Sequence, residues 1–144
     1  MDEGGTCVLV GIDFSEGAMG AVREARWLAR RTGLSLQALH VAGSGASWRP
    51  DRLTRVWMGA ASVELSTLLV RRGLAWVEIV RHAKEVSAAM IVLGSYGASG
   101  VQSVTLGSTA SRVALRAPCP VLFVAQWRER MPSEETQSFP INPF

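Results

Sequence analysis

Apolar residues in this chain gather into short continuous runs, and between the runs they recur every three or four positions, the alternation expected of strands followed by helices. Thr6 to Ile12 is nearly all apolar, as suits a strand covered on both faces of a parallel sheet. Ser15 is placed to cap a helix whose stripe is Ala18, Val22, Ala25, Leu28 and Ala29, and Gly33 to end it with a left-handed residue. Leu34 to Val41 reads as a second strand. A Gly/Ser-rich loop then leads to Pro50, a suitable opening residue for a short helix ending near Gly59. Val63 to Val70 reads as the third strand. After a turn at Arg71-Arg72-Gly73 comes a helix with the stripe Trp76, Ile79, Val80, Ala83 and Val86. Met90 to Leu93 is the fourth strand, Ser108 to Arg116 a helix, and Val121 to Ala125 the fifth strand. Such alternation implies right-handed crossovers and an α/β fold, a five-stranded parallel sheet with helices on both faces.

The fourth strand breaks into Gly94-Ser95-Tyr96-Gly97, and Gly107-Ser108-Thr109 opens the next helix. Glycines let backbone N–H groups approach an anion without Cβ atoms in the way, and a helix start adds unpaired N–H groups with partial positive charge. Phosphate suits that combination, with Ser95, Ser108 and Thr109 as hydroxyl donors. The spacing matches neither the P-loop pattern nor the dinucleotide fingerprint. Asp13, at the end of the first strand, has two readings. It caps the following helix, or it accepts ribose hydroxyls or holds a metal, such as Mg²⁺, that rides on the phosphates. Asp13 and Gly94 both lie at carboxyl ends of strands, where doubly wound sheets bind ligands, so the two sites can be one.

Composition narrows the classes. With 144 residues and 48% hydrophobic content, the chain supports one core and a single domain over residues 1–126. No apolar run approaches a membrane span and the acidic start is not a secretory signal, so a cytoplasmic protein without membrane partners is expected. The net charge of +3 comes from scattered arginines, read as solvated helix faces and not as a nucleic-acid footprint. Cys7 and Cys119 are read as small buried hydrophobes. His82 is expected in solvent and His40 as a structural or lining residue near the pocket. Residues 127–144 turn charged and proline-containing, and are read as a mobile tail or a partner-binding arm.

Several stretches resemble the universal stress protein family: Val10-Gly11-Ile12-Asp13-Phe14-Ser15, Leu39-His40-Val41, the glycine motif from Gly94 to Gly97 with Gly107-Ser108-Thr109, and Ala117-Pro118-Cys119-Pro120-Val121-Leu122. The resemblance covers roughly residues 6 to 126. It implies the sheet order 3-2-1-4-5, homodimers, and ATP (or ADP or AMP) held between strands 1 and 4. The binding set it implies is Gly11, Ile12, Asp13, Ser15, Val41, Leu93, Gly94, Ser95, Tyr96, Gly97, Gly107, Ser108 and Thr109. In it Asp13 meets ribose or adenine, Val41 contacts adenine through its backbone, and the two glycine segments hold the phosphates. Two departures stand out. The segment between strands 2 and 3 is short, so a shortened helix 2 and an open adenine side are expected, with Trp48 or Trp57 available to cover it. Ala89 stands where the family commonly has aspartate.

With the implied order, strand 5 is an edge carrying no charge and no internal proline, which points to antiparallel pairing of Val121–Ala125 between two copies, with Trp127 and the tail over the partner. The function expected is a nucleotide-responsive regulatory module. The alternatives are a slow ATPase or nucleotidyl transferase, for which the motif has no lysine, arginine or evident base, and a stress-associated interaction protein without bound nucleotide.

Overall fold

The computed structural model describes residues 5–45, 47–95 and 106–125. Five strands and four helices alternate through them: β1 (Cys7–Gly11), α1 (Glu16–Thr32), β2 (Ser35–Ala42), α2 (Arg52–Ala61), β3 (Leu68–Arg72), α3 (Ala75–Glu85), β4 (Met90–Gly94), α4 (Ser108–Arg116) and β5 (Val121–Val124). All pairings are parallel and the order is β3-β2-β1-β4-β5, as the family resemblance implied.

The apolar runs of β1 and β4 are central because both of their faces are covered. Cys7, Leu9, Leu39, Ile91 and Leu93 pack with Ile79, Ala83 and Val113 under α3 and α4. Val8, Val10 and Val92 pack with Ala21, Val22, Ala25 and Met58 under α1 and α2. Small residues on α1 let the helix lie close to the sheet. It begins where the Ser15 hydroxyl accepts the Ala18 N–H at 3.1 Å and ends at Gly33, whose φ of 70° is the left-handed cap the sequence called for.

The crossover from β2 to β3 differs most from the expectation. Pro50 lies one residue before the cap, which is Asp51 accepting the Thr54 N–H at 2.8 Å; α2 is ten residues long and runs on to Ala61. Val63 does not start a strand. Ser62 takes the left-handed conformation at φ 54° and Val63 N–H returns to the Met58 carbonyl, so the residue closes α2, and β3 begins only at Leu68. A short apolar run cannot by itself separate strand from helix cap. Trp48 and Trp57 join Phe14 on the α1/α2 face, so neither covers a cavity on the other side of the sheet.

Not all arginines are solvated. Arg26 reaches across to the carbonyls of Ala61 and Ser62, both at 3.0 Å, and ties α1 to the end of α2. Arg71 pairs with Glu78 at 3.2 Å and Glu85 at 2.8 Å on α3. Cys119 is half-buried where full burial was expected, and burial pushes both thiols above their ordinary value, which keeps them protonated and inert.

His82 is also not in solvent. Its Nδ1 lies 3.0 Å from Arg71 Nη1 and its Nε2 2.9 Å from Gln37 Oε1. Arginine only donates, so Nδ1 accepts and Nε2–H donates to Gln37, the neutral tautomer. Burial first, then the Arg71 charge, lowers its pKa from the ordinary 6.5, against a weaker opposing pull from Glu85. The unfolded chain therefore takes up a proton near 6.5 that the folded one refuses. Stability is full above that pH and declines as pH falls through it toward the folded value. The melting temperature should fall between about pH 7 and about pH 5, and His82→Gln should flatten that decline. Glu85, held low by its Arg71 hydrogen bond, contributes a loss only at more acid pH, below its ordinary 4.5. Equal slopes for the two proteins would contradict this assignment.

Candidate functional site

Where the sheet order reverses, between β1 and β4, the strands' carboxyl ends open into a cavity of about 220 Å³. Gly11, Ile12 and Asp13 border it from β1, Leu39 and Val41 from β2, and Leu93, Gly94 and Ser95 from β4. Gly107, Ser108 and Thr109 close it from the start of α4. The fold thus brings together ten of the thirteen residues expected there, Val41 among them. Ser15 does not join the lining. Its hydroxyl is committed to the α1 cap and to Asp13 Oδ1. Tyr96 and Gly97 lie outside the described residues.

Gly94 is required by a close approach. A Cβ there would sit 2.8 Å from the Gly17 carbonyl carbon and 2.9 Å from its oxygen, so the end of β4 lies directly on the first turn of α1. The two ends of the following loop are then joined: Ser95 N–H donates to the Val124 carbonyl at 2.9 Å, and Gly107 N–H donates to the Ser95 carbonyl at 3.2 Å. That closure sets the start of α4 against the cavity.

Two helix starts meet there without side-chain caps. α4 begins after Gly107 and α3 after Leu74, and neither N-cap offers a side-chain acceptor. Their first N–H groups keep unpaired hydrogen-bonding capacity and partial positive charge. Ser95 Oγ adds a further donor. It is buried and has no hydrogen-bond partner among the described residues, a state that costs roughly 1–3 kcal/mol unless another group, a ligand or water completes it. An anion with several acceptor oxygens meets every one of these needs.

Asp13 is at the rim, exposed, with Oδ1 accepting the Ser15 N–H at 3.0 Å and the Ser15 hydroxyl. Asp13 is not the cap of α1, a place Ser15 takes; its Oδ1 supports the turn ahead of the helix while the residue borders the cavity. The turn is held from behind. Phe14 has a φ of 62°, a conformation that costs a β-carbon residue on the order of 1 kcal/mol. It packs against His40, Trp48 and Trp57 at centroid distances of 4.6, 5.8 and 5.3 Å. Trp57 Nε1–H also donates to the Ser15 carbonyl at 2.9 Å, and the His40 Nδ1 is 2.7 Å from the Ile12 carbonyl. His40 therefore braces the site from outside the lining. Among the described residues, no three His, Cys, Asp or Glu side chains gather as a metal site.

The sequence did not reveal Ala18, Ala75, Ile79 and Ala110 as lining residues. The usable signal was the handedness of the crossovers, which carries α3 and α4 over the same side of the sheet.

A five-stranded parallel sheet in this order, with a cavity at the switch point, defines the adenine nucleotide alpha hydrolase-like class of α/β folds. The family model described as the universal stress protein family matches residues 58–125. A universal stress protein of Methanocaldococcus jannaschii is 47% identical over 88 residues, covering 61% of this chain and 49% of that protein. One of Mycolicibacterium smegmatis is 32% identical, covering 81% of this chain and 45% of the relative. The chain spans less than half the length of either. The solved universal stress protein UspA of Lactobacillus plantarum superposes with a TM-score of 0.63 at 25% identity, covering 83% of this chain and 98% of that one. The chain belongs to the universal stress protein family.

Proposed function

We propose that this protein binds an adenine nucleotide, ATP or its di- or monophosphate, between β1 and β4 and acts as a cytoplasmic stress-response module. The observation that carries the reading is the buried, unpartnered Ser95 hydroxyl beside the uncapped start of α4. A fold relative, 24% identical with a TM-score of 0.65, is a universal stress protein in complex with cAMP; the likeness is of fold alone. In this reading the phosphates lie on Gly94–Gly97 and on the N–H and hydroxyl groups of Gly107, Ser108 and Thr109. The base lies toward Val41 and the ribose toward Asp13. Magnesium fits only as a passenger on the phosphates, because Asp13 is a single carboxylate; bound there, the cation would offset its repulsion from the ligand's charge.

Two copies pair through the β5 edge, and residues 127–144 reach over the partner; that segment lies outside the described residues. Beyond Asp13, no acid or base borders the cavity among the described residues. Any hydrolysis should accordingly run slower than about one turnover per second, the low end of ordinary enzymes. A faster rate, abolished by Asp13→Asn, would favour the ATPase reading instead.

Denaturing the purified protein and identifying the released nucleotide tests the proposal directly. Calorimetry with Mg-ATP should give roughly micromolar affinity, from about thirty ligand heavy atoms at roughly 0.3 kcal/mol each. Gly97→Val should remove binding while the fold survives, since a branched side chain would stand where backbone approaches phosphate. Unchanged affinity in that variant would refute the site, and a protein that neither releases nor takes up nucleotide would refute the function.

A further inference from the structure

A second cavity, of about 520 Å³, lies away from the nucleotide site, beside β3 at the far edge of the sheet. Its apolar part is formed by Trp48, Pro50, Leu65 and Val70. Three guanidinium groups border it, those of Arg49, Arg55 and Arg72, and among the described residues no carboxylate does. The nearest acids along the chain are turned to local structure: Asp51 caps α2 and Glu64 accepts the Ser66 hydroxyl. Arg55 gives Nε–H to the Pro50 carbonyl at 3.3 Å and Arg72 gives Nη1–H to the Gly45 carbonyl at 3.0 Å, so most donors of each guanidinium stay available.

Among the described residues β3 pairs only with β2, so its other side presents backbone N–H and C=O groups that no described strand pairs. Soluble proteins blunt such an edge with proline, lysine or a bulge. Here Leu69 and Val70 are 40% and 37% exposed. Because side chains alternate, Val70 and Arg72 face the cavity while Leu69 lies on the opposite face.

We propose that this edge takes an extended acidic segment of another protein, added as a strand beside β3, with carboxylates paired to Arg49, Arg55 and Arg72 and apolar side chains on the opposite face against Leu69. Strand addition supplies affinity through main-chain hydrogen bonds, and alternate side chains supply selectivity. A second copy of this chain fits poorly, since it would bring three more arginines to the same groove. A nucleic acid would satisfy the arginines but not the alternating donors and acceptors of the strand edge.

The test uses the full chain and a fluorescein-labelled peptide of alternating Glu and Val, read by anisotropy. Saturable binding that weakens with added salt is expected, together with slowed amide exchange in β3 and no binding of the matching Lys-Val peptide. The pair Arg55→Glu and Arg72→Glu should weaken binding about tenfold or more, two exposed ion pairs being lost and two repulsions gained. If loss of the Arg72 contact to Gly45 disturbs the fold by circular dichroism, Arg49→Glu with Arg55→Glu serves in its place. Equal binding of the Lys-Val peptide, or indifference to the charge reversals, would overturn the proposal. So would polyuridylate displacing the peptide at lower concentration, which would make the groove a nucleic-acid site. Self-association of the protein alone that the arginine substitutions strengthen would assign it to a second copy.

Discussion

Gly94→Ala is expected to destabilise the protein and to abolish nucleotide binding together. The added Cβ would meet the Gly17 carbonyl carbon at 2.8 Å, its oxygen at 2.9 Å and the Ala18 nitrogen at 3.2 Å. These are backbone atoms in the first turn of a helix, which cannot rotate aside as a side chain can, so α1 must retreat from the sheet. Overpacking of this kind costs typically about 1–3 kcal/mol. The retreat also carries the Asp13–Ser15 turn away from β4 and widens the gap that the ligand bridges. Urea denaturation and calorimetry with Mg-ATP check the two effects. Gly33→Ala is the control: Gly33 has a φ of 70° with nothing within 4 Å of the added atom, so only conformational strain of roughly 1–2 kcal/mol should appear and binding should persist. Full stability of Gly94→Ala would mean that the contact with Gly17 is not what closes the site.

Ala125→Pro should convert the proposed dimer into a folded monomer. The Pro120 carbonyl accepts Ile91 N–H at 3.0 Å and the Val124 carbonyl accepts Ser95 N–H at 2.9 Å. Alternate residues of a parallel strand face the same neighbour, so Val121, Phe123 and Ala125 turn their N–H and C=O groups to the open edge. Proline at Ala125 removes one of those donors and places its ring in the seam. Val124 is already extended, as a residue before proline prefers, and Ala125 is exposed, so the fold loses little. Lysine at Leu122 or Val124 is a less clean test, because both pack against the α1 face of the core and the charge would strike core and seam alike. Light scattering should give twice 15.5 kDa for the wild type and a single copy for the variant. A wild type monomeric at roughly tens of micromolar, or a dimer indifferent to the proline, would rule out this edge.

Five strands, four helices and the parallel sheet were legible in the chain because each rests on a local pattern. The buried runs of β1 and β4, the Ser15 cap and Gly33 stop of α1, and the Ser108–Arg116 helix follow from burial on both faces, from capping and from a 3.6-residue period, none of which needs a distant partner. The glycine motif was legible as a pattern, and of it Gly94, Ser95, Gly107, Ser108 and Thr109 border the cavity while Tyr96 and Gly97 lie outside the described residues. The strand order was not in those patterns; it came with the family resemblance, whose described motif residues the sheet gathers at one switch point. What only tertiary structure decided depends on pairs far apart in sequence. Val63 closes a helix instead of starting a strand because the Met58 carbonyl receives its N–H. His82, on α3, is drawn out of solvent because Gln37 and Arg71 arrive from β2 and β3. Trp48 and Trp57 brace Phe14 behind the sheet because α2 packs on the side of α1, and the same arrangement brings Arg49, Arg55 and Arg72 from three segments to one groove beside β3. A periodic pattern fixes which face of an element is buried, but the partner that buries it is chosen by the chain's return, and that choice is global.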